Sequence, residues 1–245
     1  SSKPLATVIT QDGKTTPIYG LSLGHKYFLY EAGAPDGYLR NIDTYTEFEI
    51  SADGQSAVYS VDAPTRVKLR KTDANGVAIT GASMVLVTGD DNVYNPDTDV
   101  VNTWTSDKDQ EHTEYELLLD TPYTLLETAA PAGYTVNTVG VTFKLNERGE
   151  VVLISGGATD GTTVDSVSLG DQSIHVVFSK NATGNLTAEL PNAELKITHI
   201  DTILGEVVDD TWKTAAVNPV PHVVTTKLMA DDKTVYTFSE VGAPD

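Results

Sequence analysis

Apolar residues along this chain gather in short stretches rich in Val, Thr, Ile, Leu and Tyr, separated by clusters of Asp, Asn, Gly and Pro. Examples are Met84-Val85-Leu86-Val87, Tyr115-Glu116-Leu117-Leu118-Leu119, Val139–Leu145 and His175-Val176-Val177-Phe178. Turn pairs stand between them: Asp12-Gly13, Asp53-Gly54, Asn75-Gly76, Arg148-Gly149 and Thr183-Gly184. This spacing predicts strands joined by tight turns. No segment sustains the 3.6-residue apolar stripe of an amphipathic helix. The expected fold is all-β, built as sandwiches.

Two motifs recur. Tyr27–Tyr38 (YFLYEAGAPDGY) and Tyr123–Tyr134 (YTLLETAAPAGY) are copies of one segment, and Tyr236–Asp245 (YTFSEVGAPD) is a third. Val67–Asp73 (VKLRKTD) and Leu195–Asp201 (LKITHID) form a second pair. The Glu motifs are spaced by about one β-sandwich domain. The expected organisation is an incomplete domain at 1–63, a complete one at 64–192 and the beginning of a third at 193–245. On this division the first has Glu31 and Asp62 but no Lys strand. The third has Lys196 and Glu240 but no closing strands.

Parity singles out the glutamates. Residues i, i+2 and i+4 of a strand share a face. Glu31 shares one with Tyr27 and Leu29, Glu127 with Tyr123 and Leu125, Glu240 with Tyr236 and Phe238. An exposed Glu before a Pro-Gly turn is the ordinary reading of one copy; three copies of the same parity favour a buried, paired or protonated carboxyl. For the lysines the indications conflict. Alternation puts Lys71 on the face of Val67 and Leu69, and Lys68 opposite. The second copy, however, repeats the lysine at Lys196 and has His199 where the first has Lys71. The repeat therefore selects Lys68 and Lys196, against the plain alternative of solvated surface lysines.

Composition removes several classes of function. The 245 residues carry 16 basic and 35 acidic side chains, a net charge of −19, and no cysteine. The acidity disfavours nucleic acid and anionic membrane surfaces as partners. Absence of cysteine removes disulfides, thiolate metal sites and thiol nucleophiles. Five histidines without a helical pair give no zinc signature. Neither a cofactor nor a metal is expected.

The middle repeat resembles the CnaB family, the collagen-adhesin B-type repeats of Gram-positive surface proteins and pilins. The likeness runs nearest to the fibronectin-binding-protein domain that has been divided into a peptide tag and its catcher. It rests on Val67–Asp73, Gly81-Ala82-Ser83-Met84, Thr103–Asp107, Leu126–Tyr134 and Val141–Val151, in order and at the family's spacing. The resemblance implies tandem Ig-like sandwiches, each closed by an intramolecular isopeptide bond. That bond joins a first-strand Lys to a last-strand Asn or Asp, beside a Glu. Carried over, the Lys is Lys68 and the Glu is Glu127. The acyl partner is Asn192, ahead of the next Lys strand, with Asn181 as its rival; Asp62 fills the role in the first repeat. Residues 155–173 and a hairpin at Ile174–Leu190 then count as insertions. A buried lysine is driven toward its neutral, nucleophilic form, and a buried glutamic acid stays protonated and polarises the carbonyl.

Three functions are open at this level. The first is a cross-linked stalk of an extracellular, cell-surface or wall-attached adhesin or pilin, with neighbouring repeats as partners and no enzymatic turnover. The second is an adhesin module that binds a host matrix protein or carbohydrate through its loops. Its best candidate is the acidic loop Gly89–Asp99, which also offers carboxylates for Ca²⁺ but lacks the turn glycine and closing Glu of an EF-hand. The third, a glycosidase with paired carboxylates, has no motif behind it. Tandem repetition favours the stalk.

Overall fold

The computed structural model describes residues 4–11, 17–41, 44–90, 99–157, 160–224, 228–230 and 233–242. Among them there is no helix, and none therefore long and apolar enough to cross a membrane. The chain is all-β. A first unit holds β1 (Lys26–Leu29), β2 (Tyr38–Leu39), β3 (Thr46–Glu49) and β4 (Ala63–Pro64). The middle unit runs from β5 (Arg66–Asp73) through β6 (Ser83–Thr88), β7 (Val100–Thr105), β8 (His112–Tyr115) and β9 (Tyr123–Ala129). It continues with β10 (Tyr134–Thr135), β11 (Val141–Leu145), β12 (Val151–Ser155), β13 (Thr163–Val164) and β14 (Val167–Ser173). The third unit holds β15 (Val177–Phe178), β16 (Asn181–Ala182), β17 (Asn185–Glu189), β18 (Glu194–Asp201), β19 (Gly205–Lys213), β20 (His222–Val223) and β21 (Tyr236–Gly242).

The middle unit is a sandwich of two sheets, ordered β10-β14-β5-β8 and β13-β12-β11-β9-β6-β7. Alternation along β5 and β14 turns Val67, Leu69, Val167 and Leu169 inward. Met84, Leu86, Leu125, Phe143 and Leu145 face them from the other sheet. Phe143 has no exposed surface, so Phe143→Ala removes about 3–5 kcal/mol of packing. β14 lies parallel to β5, with Val167 opposite Leu69, Leu169 opposite Lys71 and Asp171 opposite Asp73. A parallel pair requires a long crossover, here the whole intervening sandwich. The stretch read as an insertion at 155–173 therefore supplies a central strand.

The expected boundary at residue 192 moves accordingly. Backbone pairing of the middle sandwich ends at Ser173. Ile174, Val176 and Phe178 instead pack on Ile197, Val224 and Leu228, with Trp212 and Tyr236, in a separate core. The Ile174–Leu190 segment belongs to the third unit. Among the described residues the first unit contributes none of the buried apolar core. It is tied to the middle one by Thr65 N–H to Gly37 O (2.8 Å) and Tyr38 Oη–H to Glu116 Oε1 (3.0 Å).

Candidate functional site: a buried lysine between two carboxyls

β5 reads outward, inward, outward, inward from Arg66, and the alternation carries through to Lys71, whose side chain is 1% exposed. The Lys71 ammonium contacts Asp171 Oδ1 on β14 and lies 3.3 Å from Glu127 Oε1 on β9. Both carboxyl side chains are 0% exposed. The three groups come from both sheets and meet within the sandwich. Glu127 sits opposite Met84 of β6, and its Oε2 accepts the Asn137 N–H at 2.7 Å. Asn137 Nδ2 in turn donates to Gly170 O at 2.6 Å, next to Asp171. One residue thus fixes the acid of one sheet against the acyl strand of the other.

Burial pushes the Glu127 carboxyl above its ordinary range. The Asn137 N–H and the Lys71 charge pull the other way, and the Asp171 carboxyl pushes it up further. Glu127 Oε1 and Asp171 Oδ2 are buried without a hydrogen-bond donor. The arrangement sets an amine against two carboxyl groups in a buried site, where fixed geometry can replace concentration. Among the described residues no group of three or more His, Asp or Glu side chains is placed to hold a metal ion.

Glu127 is therefore where parity placed it, but the structure does not bring Lys68 or Asn192 to it. Lys68 points to solvent, 51% exposed, and pairs with Glu111 at 2.7 Å. Asn192 occupies a left-handed turn (φ 62°) of the third unit and donates its N–H to Thr214 O. Asn181 lies in the β16–β17 hairpin, its Nδ2 on Ala188 O at 2.9 Å. Period-two alternation indicated Lys71; matching Leu195–Asp201 to Val67–Asp73 overruled it. Strand registers show that match to be false. β18 pairs with β19 and β21 as β6 pairs with β7 and β9. Leu195 opposes Trp212 and Glu240, as Met84 opposes Trp104 and Glu127. Leu195–Asp201 is thus the counterpart of β6. Lys196 is a surface residue paired with Glu206 at 2.8 Å.

The true counterpart of β5 in the third unit is Val176–Lys180. Phe178 opposes His222 as Leu69 opposes His112, and Trp212 stacks on His222 as Trp104 stacks on His112. Two residues beyond Phe178, Lys180 Nζ reaches Glu240 Oε2 at 2.8 Å. In the first unit Glu31 Oε2 accepts the Asn41 N–H at 2.6 Å, repeating the Glu127–Asn137 contact. Asp62 shares a hydrogen bond with Glu31; burial, then that bond, push its carboxyl up. Asp62 and Glu31 are brought together as an acid pair. Lys71, Asp171, Asn137 and Lys180 are the residues that sequence reasoning missed. The signal for both lysines was the same: apolar residues at −2 and −4. Of the Gly89–Asp99 loop, residues 91–98 lie outside the described residues.

These features define a class: a prealbumin-like β-sandwich carrying a lysine–carboxyl triad across its two sheets. Residues 65–157 match the family model described as SpaA, prealbumin-like fold domain, in keeping with the CnaB-type resemblance. Comparison with curated proteins gives no match. Solved structures similar to the chain include the TIE protein of Bacillus anthracis (21% identity, TM-score 0.41, over 96% of this chain and 39% of that one). The C-terminal fragment of the pilus adhesin SpaC from Lactobacillus rhamnosus GG is another (18%, TM-score 0.36, 74% and 76%). A third is the Streptococcal ancillary pilin (19%, TM-score 0.38, 89% and 66%). The chain spans about two fifths of the length of the TIE protein.

Proposed function

We propose that this chain is a load-bearing segment of a Gram-positive surface pilin or adhesin, and that its middle unit is locked by an isopeptide bond between Lys71 and Asp171. The observation that carries this reading is the contact of a fully buried lysine with a fully buried aspartate, beside a carboxyl that burial pushes above its ordinary range. Lys71 gives a proton to Asp171, leaving amine and acid in place of two buried charges. Protonated Glu127 polarises the Asp171 carbonyl, Lys71 Nζ attacks the carboxyl carbon, and the hydroxyl departs as water with the proton that Glu127 relays. The amide formed carries no charge, which removes the cost of the buried ions. The reaction occurs once per molecule and is self-modification. An extracellular, cell-surface location and neighbouring units as partners belong to the same reading.

Intact mass tests it. The purified chain is expected to weigh about 18 Da, one water, less than its sequence, with the deficit on a linked peptide pair containing Lys71 and Asp171. A chain at its full sequence mass overturns the proposal.

A further inference from the structure

The chemistry proposed for Glu127 leaves the turn that follows it without a role. Pro35-Asp36-Gly37-Tyr38 and Pro131-Ala132-Gly133-Tyr134 are its two complete copies. Each closes by donation of the Tyr N–H to the Pro carbonyl, at 3.1 Å for Tyr38 and 3.2 Å for Tyr134. Each glycine is buried and left-handed, with φ 80° at Gly37 and 90° at Gly133. A left-handed residue in a buried turn calls for glycine.

Both turns sit at a junction between units, and in the same way. Tyr38 of β2 opposes Pro64, and Tyr134 of β10 opposes Ser173. The residue after each partner is the first of the next unit, Thr65 or Ile174. Its N–H goes to the turn glycine: Thr65 to Gly37 O at 2.8 Å, Ile174 to Gly133 O at 2.8 Å. The next unit then closes over the glycine with the loop before its Tyr strand. At the first junction a Cβ on Gly37 would lie 2.7 Å from Glu116 O and 2.9 Å from Glu116 Cα. At the second, Gly133 donates its N–H to Leu228 O at 2.7 Å. Leu228 and Leu117 hold equivalent places. Met229 N–H donates to Tyr236 Oη at 2.7 Å, as Leu118 N–H donates to Tyr123 Oη at 2.9 Å. Thr65 is fully buried, and its hydroxyl donates to Leu117 O at 2.7 Å. Swinging one unit against the next would strip partners from these buried backbone groups, which is costly. Relative motion is otherwise the default between tandem domains.

We infer that the Pro-x-Gly-Tyr turn is a clasp between consecutive units, whose glycine seats the entering residue and the pre-Tyr loop of the next unit and holds the pair in one orientation. The Glu repeat thus does two things: its carboxylate serves the interior of its own sandwich, and its turn fixes the following one. The inference deepens the load-bearing reading and rests on it for its purpose, but it uses no step of the chemistry proposed for Lys71 and Asp171.

The experiment measures distances between spin labels across each junction by pulsed electron resonance. The chain has no cysteine, so introduced pairs carry the labels alone. Glu49→Cys with Thr103→Cys spans the first junction, and Thr103→Cys with Thr187→Cys the second; all three positions are exposed. The otherwise unaltered chain is expected to give one narrow distance peak for each pair. Gly37→Ala should lose the narrow peak at the first junction and keep it at the second, and Gly133→Ala the reverse. Gly76→Ala, left-handed at φ +81° with open space around it, should keep both. Near-ultraviolet circular dichroism from Trp104 and Trp212 should stay as in the wild type, showing that the two sandwiches remain folded. Broad distributions in the unaltered chain, narrow peaks retained in both turn variants, or a lost dichroism signal in them each overturn the inference, the last because the glycine would then serve a sandwich and not the junction. Intact mass of the unlabelled chain reads the Lys71–Asp171 bond separately: narrow peaks with a full-mass chain overturn the bond alone, and broad peaks with the deficit present overturn the clasp alone.

Discussion

Replacing Glu127 with glutamine removes one carboxyl oxygen and leaves the shape of the site. The amide oxygen can still accept the Asn137 N–H, and the Lys71–Asp171 ion pair survives. What the variant loses is the acid proposed to activate the Asp171 carbonyl, so the chain should stay at its own full sequence mass. Lys71 and Asp171 are 100 residues apart. Cross-linking a loop of that length contributes about 4.7 kcal/mol in a chain-entropy treatment. For a domain of this size about 4–8 °C accompanies each kcal/mol, so the middle-unit transition should fall by roughly 20–40 °C. Differential scanning calorimetry on wild type and Glu127→Gln, each with its intact mass measured, provides the comparison. Two results would refute the reasoning: a variant that still carries the deficit, or one that lacks it and melts with the wild type.

Lys68→Ala loses only an exposed ion pair with Glu111, so unfolding should shift by less than about 1 kcal/mol and the mass deficit should remain; a lost deficit would return the amine role to Lys68. In Lys71→Met, which cannot cross-link, burial and Asp171 still raise Glu127 above its unfolded value of 4.5, with the lysine charge gone. The folded chain then binds more protons than the unfolded one above that pH. Stability should be highest in acid and decline as pH rises through the folded value, and a urea titration series should show this slope flattened in Lys71→Met/Glu127→Gln. Gly156 adopts φ +75°, and a Cβ there would collide with the carbonyl oxygen of Gly140. Gly156→Ala should therefore cost about 2–4 kcal/mol by thermal unfolding; an unchanged melting temperature would contradict the β11–β12 geometry.

Much of the fold was legible because strand period and turn residues are local signals. The burial of Glu127 was legible too, since parity needs only the strand itself. Lys71 was legible by the same rule and was set aside for a repeat match that strand pairing shows to be false. Short apolar-Lys-apolar strands look alike whether they are the first strand or the second of a sandwich. Aligning on a rarer residue resolves this. Trp212 lies 32 residues after Lys180, and Trp104 lies 33 after Lys71, which gives the third unit the same frame as the middle one. Asp171 was harder to find. It sits in Val167–Ser173, whose Gly170 and Ser residues weaken the strand pattern, and its partner strand is 100 residues away. Parallel pairing over that distance leaves no local trace. Asn137 acts through its backbone N–H and its side-chain amide at once, a role no residue pattern announces.

The position of the triad gives the proposed bond its mechanical sense. The chain enters the middle unit at the start of β5 and leaves it at the end of β14, and these are parallel neighbours in one sheet. Tension applied through the two flanking units pulls β5 from its N-terminal end and β14 from its C-terminal end, in opposite directions. The strands are loaded in shear, and their ladder of backbone hydrogen bonds resists together. Lys71 faces Leu169 in that ladder, and Asp171 lies two residues further along β14. An amide between them would carry the load from one strand directly to the next and withhold the 100-residue span from extension, about 330–360 Å of fully extended chain. Lys68, although on the same strand, could not do this. It projects from the opposite face toward Glu111 in the loop before β8, away from the strand through which force leaves.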